Sequence, residues 1–505
     1  MGRYNDMGGS SRVRIFCLVA GVCFLSVCPK TYAGGLEVPD LGAVAIGRGG
    51  AFAARADNLS AFYYNPAGLS KNKGVNLLVG VTLFNVNLHY LRSGSTDDSG
   101  GVGTVEMNGV DVYNPSRDFA EIGPENPESS DYHSISGERP LSPLPMMVFS
   151  WGDAFNVEGL ALAVGLITPS SFYLPKYPEK GPGRYAIREG SFLVASPGIG
   201  ISYAVNRYIQ VGGVFLGGAA FLDMSVAIRP VPRLNDPLFY NENLGGDADL
   251  SIETKDWFAP SGIFGVLSNP LDWLEVGVAV KLPQKIEANG KAKYTAPTDD
   301  LINSDLVSGR DDITLRFHFP WVVRAGVRYI HRYFDIEADF VWENWSSFER
   351  FEFDMDAELF QDAVEEEGRM EMPDAEVPKH FRDTYSVRLG GDVEVWPEHI
   401  AARIGGYYQT SAYPKNNDTF NLDFPFGEQV GVGGGLTWHA CSYLDVNAGY
   451  LHVFQFDVEV EDGVVQQIGM PIERDGEEKQ TGNTVNNGTY EVGINLFAIS
   501  LEGHF

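Results

Sequence analysis

The chain has 505 residues, a formal net charge of −30, 58 glycines and 12% aromatic side chains. The acidity argues against nucleic acid as a partner, and abundant glycine and aromatic residues favour an all-β class over a helical one. Cys17, Cys23 and Cys28 lie in the first segment and only Cys441 follows. An internal disulfide and a zinc-type Cys/His cluster are therefore not expected, and neither a metal nor a cofactor is called for.

Residues 1–33 read as an export signal. Arg12 and Arg14 precede an apolar run over 15–27, and Thr31-Tyr32-Ala33 places small residues at −3 and −1 for cleavage after Ala33. Beyond Ala33 no apolar run reaches the about 18 residues a helical span requires. An exported chain without such runs is either soluble or a β-barrel, whose alternating strands escape hydropathy plots.

Residues 34–73 break the strand pattern. They are rich in Gly, Ala, Asp and Asn, carry few large side chains, and are expected to form a plug of the size a barrel lumen holds. Asn65-Pro66-Ala67 marks a rigid corner, because proline fixes φ and removes a donor.

From 74 to 505 the apolar period is two. Val75, Leu77, Val79, Val81 and Leu83 share one face; Phe334, Ile336, Ala338, Phe340 and Trp342 alternate with Asp335, Glu337, Asp339 and Glu343. Short turns near 152–158, 206–207, 269–272, 331–332, 397–398 and 441–442 alternate with long polar segments at 92–142, 170–190, 232–256, 295–311, 355–382, 412–427 and 461–487. Together they delimit fourteen antiparallel strands. That sidedness is the signature of a transmembrane barrel, whose even strand number closes without an unpaired edge. The last strand places Phe497, Ile499, Leu501 and Phe505 on one face. Its opposite face changes from Ser500, Glu502 and His504 to Val492, Ile494 and Leu496. The stretch 211–224 is apolar on both faces. Such strands imply an apolar lumen, which a general diffusion porin lacks.

The segment Gly47–Leu69, ending in Tyr64-Asn65-Pro66-Ala67-Gly68-Leu69, resembles the hatch of the long-chain fatty acid outer-membrane transporter family (FadL-like, including the aromatic-hydrocarbon transporters). The resemblance spans essentially the whole mature chain and includes Ala56-Asp57, Trp345-Ser346-Ser347-Phe348 and Phe381-Arg382-Asp383-Thr384-Tyr385. It implies a monomeric, multi-pass outer-membrane barrel closed by a hatch, passive transport of a hydrophobic small molecule, and contact with outer-membrane lipid or lipopolysaccharide. It also implies a kink in the third strand that opens the wall sideways. Here that kink falls at Thr168-Pro169-Ser170, with the Asn65-Pro66-Ala67 corner facing it; proline suits an irregular strand position. For a fatty-acid carboxylate the resemblance implies a basic group, drawn here from Arg382, Lys379 and Arg229. It further implies an outer groove on the third and fourth long loops, with Leu238, Phe239, Tyr240 and Leu306 as apolar surface. Arg324, Arg328, Arg388 and Arg403 are expected to pair with lumen acids such as Glu337, Asp339, Asp392 and Glu394. Aromatic-hydrocarbon uptake is the alternative function, and a porin or adhesin a further one. An enzyme is not expected, since neither Gly-x-Ser-x-Gly nor His-Glu-x-x-His occurs.

Overall fold

The computed structural model describes residues 40–93, 106–107, 110–111, 134–137, 140–178, 181–228, 248–295, 306–361, 369–371, 374–414, 416–466, 472–474, 477–479 and 484–505. The signal segment and residues 34–39 lie outside these. No helix among the described residues is long and apolar enough to cross a membrane.

Fourteen antiparallel strands close a barrel. They are β1 Val75–Arg92, β2 Ser142–Gly152, β3 Leu160–Ile167 resuming at Phe172–Tyr173, β4 Ile187–Asn206, β5 Ile209–Ile228 and β6 Ala248–Leu271. Next come β7 Leu274–Lys281 with Gln284–Thr295, β8 Leu306–Phe319 with Val322–Ile330, and β9 Phe334–Glu343 with Arg350–Gln361. The remainder are β10 Ala375–Pro378 with Thr384–Trp396, β11 Ile400–Gln409, β12 Gln429–Cys441, β13 Leu444–Gln455 with Val458–Val460, and β14 Gly488–His504. Closure is made by β1 on β14, in register from Asn76 opposite His504 to Arg92 opposite Gly488.

The strands are far longer than a bilayer needs. The 24 residues of β6 rise roughly 80 Å along the strand at about 3.3 Å each, more than twice the hydrocarbon thickness. Their patterning changes with height. At the short-turn end of β1, Leu77 and Val79 face outward and are exposed, while Asn76 points in. Higher up, Asn85, Asn87 and His89 take the outer positions and Phe84, Val86, Leu88 and Tyr90 are buried inside. On β14, Phe497, Ile499 and Leu501 face out below, whereas Val492, Ile494 and Leu496 face in above. The lower barrel is therefore apolar outside and charged inside; the upper barrel reverses this and encloses an apolar core in water.

Residues 40–73 fill the lower lumen with two short helices, α1 Ala43–Gly47 and α2 Ala61–Tyr64, and a 3-10 turn, Pro66–Lys71. Glycines let this backbone meet the wall. Gly405 of β11 sits opposite Gly390 of β10, and a methyl group on Gly405 would lie 2.1 Å from the Arg48 carbonyl oxygen. Gly49, which takes the left-handed backbone that favours glycine, closes the same contact against Gly406. Replacing Gly405 by Val is expected to push the hatch off its seat. The check is ion conductance of the purified protein in planar bilayers, which rises above that of the wild type.

Candidate functional site

The hatch is held by charge. Alternation on β9 turns Asp335, Glu337 and Asp339 inward, and all three are buried. Arg48, wholly buried, donates to Asp335 at 2.8 Å and to Glu337 at 2.9 Å, and also to Asp392 of β10. Glu337 accepts the Ala54 and Arg55 amides at 2.7 and 3.1 Å, and Asp339 accepts those of Phe52 and Ala53, both at 2.8 Å. Buried carboxylates stay ionised only when so partnered. Arg328 pairs with Glu275 and Asp335 at 2.9 Å, Arg403 with Asp392 at 3.2 Å, and Arg388 with Asp40 of the hatch at 2.6 Å. Arg324 departs from the expected acid pairing: its guanidinium lies over the Tyr63 ring, 4.7 Å from the centroid. Of the acids expected for it, Glu337 and Asp339 take hatch amides, Asp392 takes Arg48, Arg55 and Arg403, and Glu394 is exposed.

The Asn65-Pro66-Ala67 corner docks on β4 to β6. Asn65 donates through Nδ2 to the Ala53 carbonyl at 2.8 Å and to Val266 of β6 at 3.3 Å, while its Oδ1 accepts the Ala67 amide. Ser202 of β4 donates to the Ala67 carbonyl at 2.8 Å. Gly212 of β5 and Gly265 of β6 admit Pro66 and Asn65 at distances no side chain tolerates. These contacts seat the corner on β4, β5 and β6. The hatch ring that reaches β3 is Phe62, against Gly165 and, on β4, Gly198. Below the hatch, at the short-turn end, lies a polar vestibule of about 340 Å³ lined by Arg55, Asp57, Arg403, His439, Asp445 and His504, among others.

Strand β3 is interrupted at Thr168, Pro169 and Ser170, which are buried. The β2–β3 ladder ends at Met147 opposite Leu166. Above it, two side-chain hydrogen bonds span the strands: Thr168 Oγ1 donates to the Pro145 carbonyl at 3.1 Å, and the Tyr173 amide donates to Ser142 Oγ at 2.8 Å. On the other side β3 stays attached to β4, where Phe172 pairs with Phe192.

Behind this break lies a continuous aromatic tract. Phe172 stacks on Phe192 at 5.6 Å; Phe192 meets Phe424 at 5.3 Å; Phe424 stacks on Phe351 at 5.4 Å. At its far end sits Lys379, 1% exposed, with its ammonium 5.4 Å from the Phe424 centroid and 5.9 Å from that of Phe351. Lys379 forms no ion pair among the described residues. Asp423 is close enough to act on it electrostatically. Its oxygens, however, accept the Ile187 amide and Asn421 Nδ2, each at 2.7 Å.

The other expected site residues are placed differently. Arg382 is half-buried and donates through Nε to the Tyr413 carbonyl at 2.9 Å, so it braces the segment after β11. Leu306 opens β8. Arg229, Leu238, Phe239 and Tyr240 lie outside the described residues. The segment 412–427, expected as a polar loop, folds into the lumen instead, with Tyr413, Phe420, Leu422 and Phe424 buried. Its signal was present: Phe420, Leu422, Phe424 and Phe426 recur at period two. Arg48 and the tract phenylalanines were not singled out, since no local motif marks partners that meet only across a lumen.

Residues 24–492 match the model of a family described as outer membrane protein transport protein (OMPP1/FadL/TodX). Among solved structures, a Pseudomonas aeruginosa FadL homologue is similar with a TM-score of 0.69 and 15% identity, covering 94% of this chain and 100% of that one. The Pseudomonas putida toluene transporter TodX gives 0.59 and 12%, covering 93% and 100%. The Ralstonia pickettii toluene transporter TbuX gives 0.58 and 13%, covering 93% and 99%. At these identities the likeness is one of fold. No curated protein matches.

Proposed function

Since the chain belongs to the OMPP1/FadL/TodX family of outer-membrane transport proteins, we propose that its solute is a long-chain fatty acid, held by Lys379 and released sideways through the wall at Thr168-Pro169-Ser170. The protein is an outer-membrane β-barrel of a family that transports hydrophobic molecules. The observation that carries the finer reading is Lys379, a buried cation ringed by phenylalanine with no ion pair among the described residues. Burying a charge in apolar surroundings is costly unless a counter-charge arrives. A fatty-acid carboxylate supplies that charge, and the acyl chain takes the aromatic surface. From Lys379 the tract runs through Phe424 and Phe192 to Phe172, directly behind the broken wall. Lateral release delivers an apolar solute into lipid, where no water-filled path through the hatch is required. Arg382 positions the loop that carries Phe424 rather than meeting the carboxylate.

One observation favours a second solute class. The tract itself is aromatic and neutral, and a monoaromatic hydrocarbon fits such a surface without needing Lys379. Lys379→Met separates the two. We expect fatty-acid affinity in detergent to fall by about tenfold to a hundredfold, as for loss of a charge-assisted contact, while toluene binding is unchanged. Equal fatty-acid affinity before and after removes Lys379 from the carboxylate site.

A further inference from the structure

We propose that Pro143 and Pro145 of β2 hold the barrel wall open beside β3, and that side-chain contacts of Thr168 and Ser142 span the opening in place of the ladder; this rests on the lateral-release reading above. Along a strand, alternate residues turn their N–H and C=O to the same neighbour. Gly152 turns to β1, donating its amide to the Gly74 carbonyl at 2.7 Å, and the Pro145 carbonyl accepts from Thr168 of β3. Residues 143, 145 and 147 therefore all face β3. The ladder stops where the prolines begin.

The register shows what is missing. Met147 opposite Leu166 and Gly152 opposite Ala161 continue upward to Pro145 opposite Thr168 and Pro143 opposite Ser170. Each of these pairs would exchange two backbone hydrogen bonds in a closed sheet. Proline cannot donate, so one bond of each pair is deleted by the sequence. Deleting donors is also how a strand edge is kept from pairing with a neighbour. In this structure Thr168 reaches Pro145 through its side chain, and Ser142 accepts Tyr173 through its own.

Pro169 acts on the other side. By the same alternation its nitrogen faces β4, near Val194. There Ser171 Oγ accepts the Val194 amide at 2.8 Å and donates to its carbonyl at 3.1 Å. The opening toward β2 is thus written in β2. Both prolines turn outward, Pro143 exposed and Pro145 half-buried, while Leu144 and Met146 between and beside them are buried inside. Restoring the two donors leaves the lumen lining untouched.

The test is the double variant Pro143→Val, Pro145→Val in the full-length protein, read by hydrogen exchange of the new amides 143 and 145 and by uptake of a long-chain fatty acid into cells. Two restored ladder bonds shift the balance toward a closed wall by about ten- to thirtyfold. We expect both amides to be protected and uptake to fall by about tenfold or more, with fatty-acid affinity of the purified protein within about twofold of wild type. Protected amides with unchanged uptake overturn the proposal, and so do amides that exchange freely. A wild type that takes up no fatty acid overturns the transport reading instead, with amide protection still deciding whether the prolines keep β2 from β3.

Discussion

Arg48→Met is expected to unseat the hatch while the barrel stays folded. Arg48 is the ion-pair partner of Glu337, which is wholly buried, and it also serves Asp335 and Asp392. Arg55, Arg328 and Arg403 still reach Asp335 or Asp392 after the substitution. Among the described residues Glu337 then keeps the Ala54 and Arg55 amides but no ion-pair partner. Breaking a buried pair by removing one partner costs about 3–5 kcal/mol, because a charge is left uncompensated. That cost falls on the hatch–wall contact rather than on the barrel ladder, which Arg48 does not join. The expected result is faster hydrogen exchange over residues 43–67 and increased ion conductance, with unchanged heat-modifiability of the barrel on gels. Glu337→Gln in the same chain removes the stranded charge and is expected to restore part of the protection, a non-additivity that a double-mutant cycle measures.

Phe424→Ala is expected to have the largest effect on the solute site. The Phe424 ring touches Phe351, Phe192 and Phe172 and covers the Lys379 ammonium. Truncating a buried phenylalanine costs about 3–5 kcal/mol through lost transfer energy and the cavity left behind. Its backbone is anchored separately, since Tyr413 Oη donates to the Phe424 carbonyl at 2.8 Å. The segment after β11 should therefore keep its course while the tract is cut in the middle. Fatty-acid and toluene affinities should both fall, in contrast to Lys379→Met, which spares toluene. Calorimetric titration of both solutes checks this. A variant that binds both as the wild type does would exclude the tract as the binding surface.

The fold was legible because its signals are local. Period-two apolar runs, short turns such as that expected at Asn206-Arg207 and the aromatic end of β14 each sit within a few residues of one another. The reversal of inner and outer faces was visible in β14 alone, where Glu502 gives way to Leu496. The site was less legible because its partners are distant in sequence. Arg48 meets acids at 335, 337 and 392, and no spacing rule joins them. The Asn65-Pro66-Ala67 corner was recognisable as rigid, but its docking surface depends on where glycines 212 and 265 thin the wall. Polarity suggested a loop over 412–427, where Asn416, Asn417 and Asp418 precede the alternating phenylalanines that bury it. Pro169 was singled out through the family resemblance, with proline suiting an irregular strand position. Pro143 and Pro145 matter for the edge they face, and that edge is defined only once the strand register is known.

A fatty acid carried by this barrel would hold its carboxylate on Lys379. Extraction and mass spectrometry of apolar molecules retained by the protein, purified in mild detergent from cells fed a long-chain fatty acid, test it most directly. The fatty acid is expected to be recovered from the wild type and lost from Lys379→Met, with both proteins folded. Recovery of the fatty acid from both in equal amount, or of no apolar molecule from either, would contradict it.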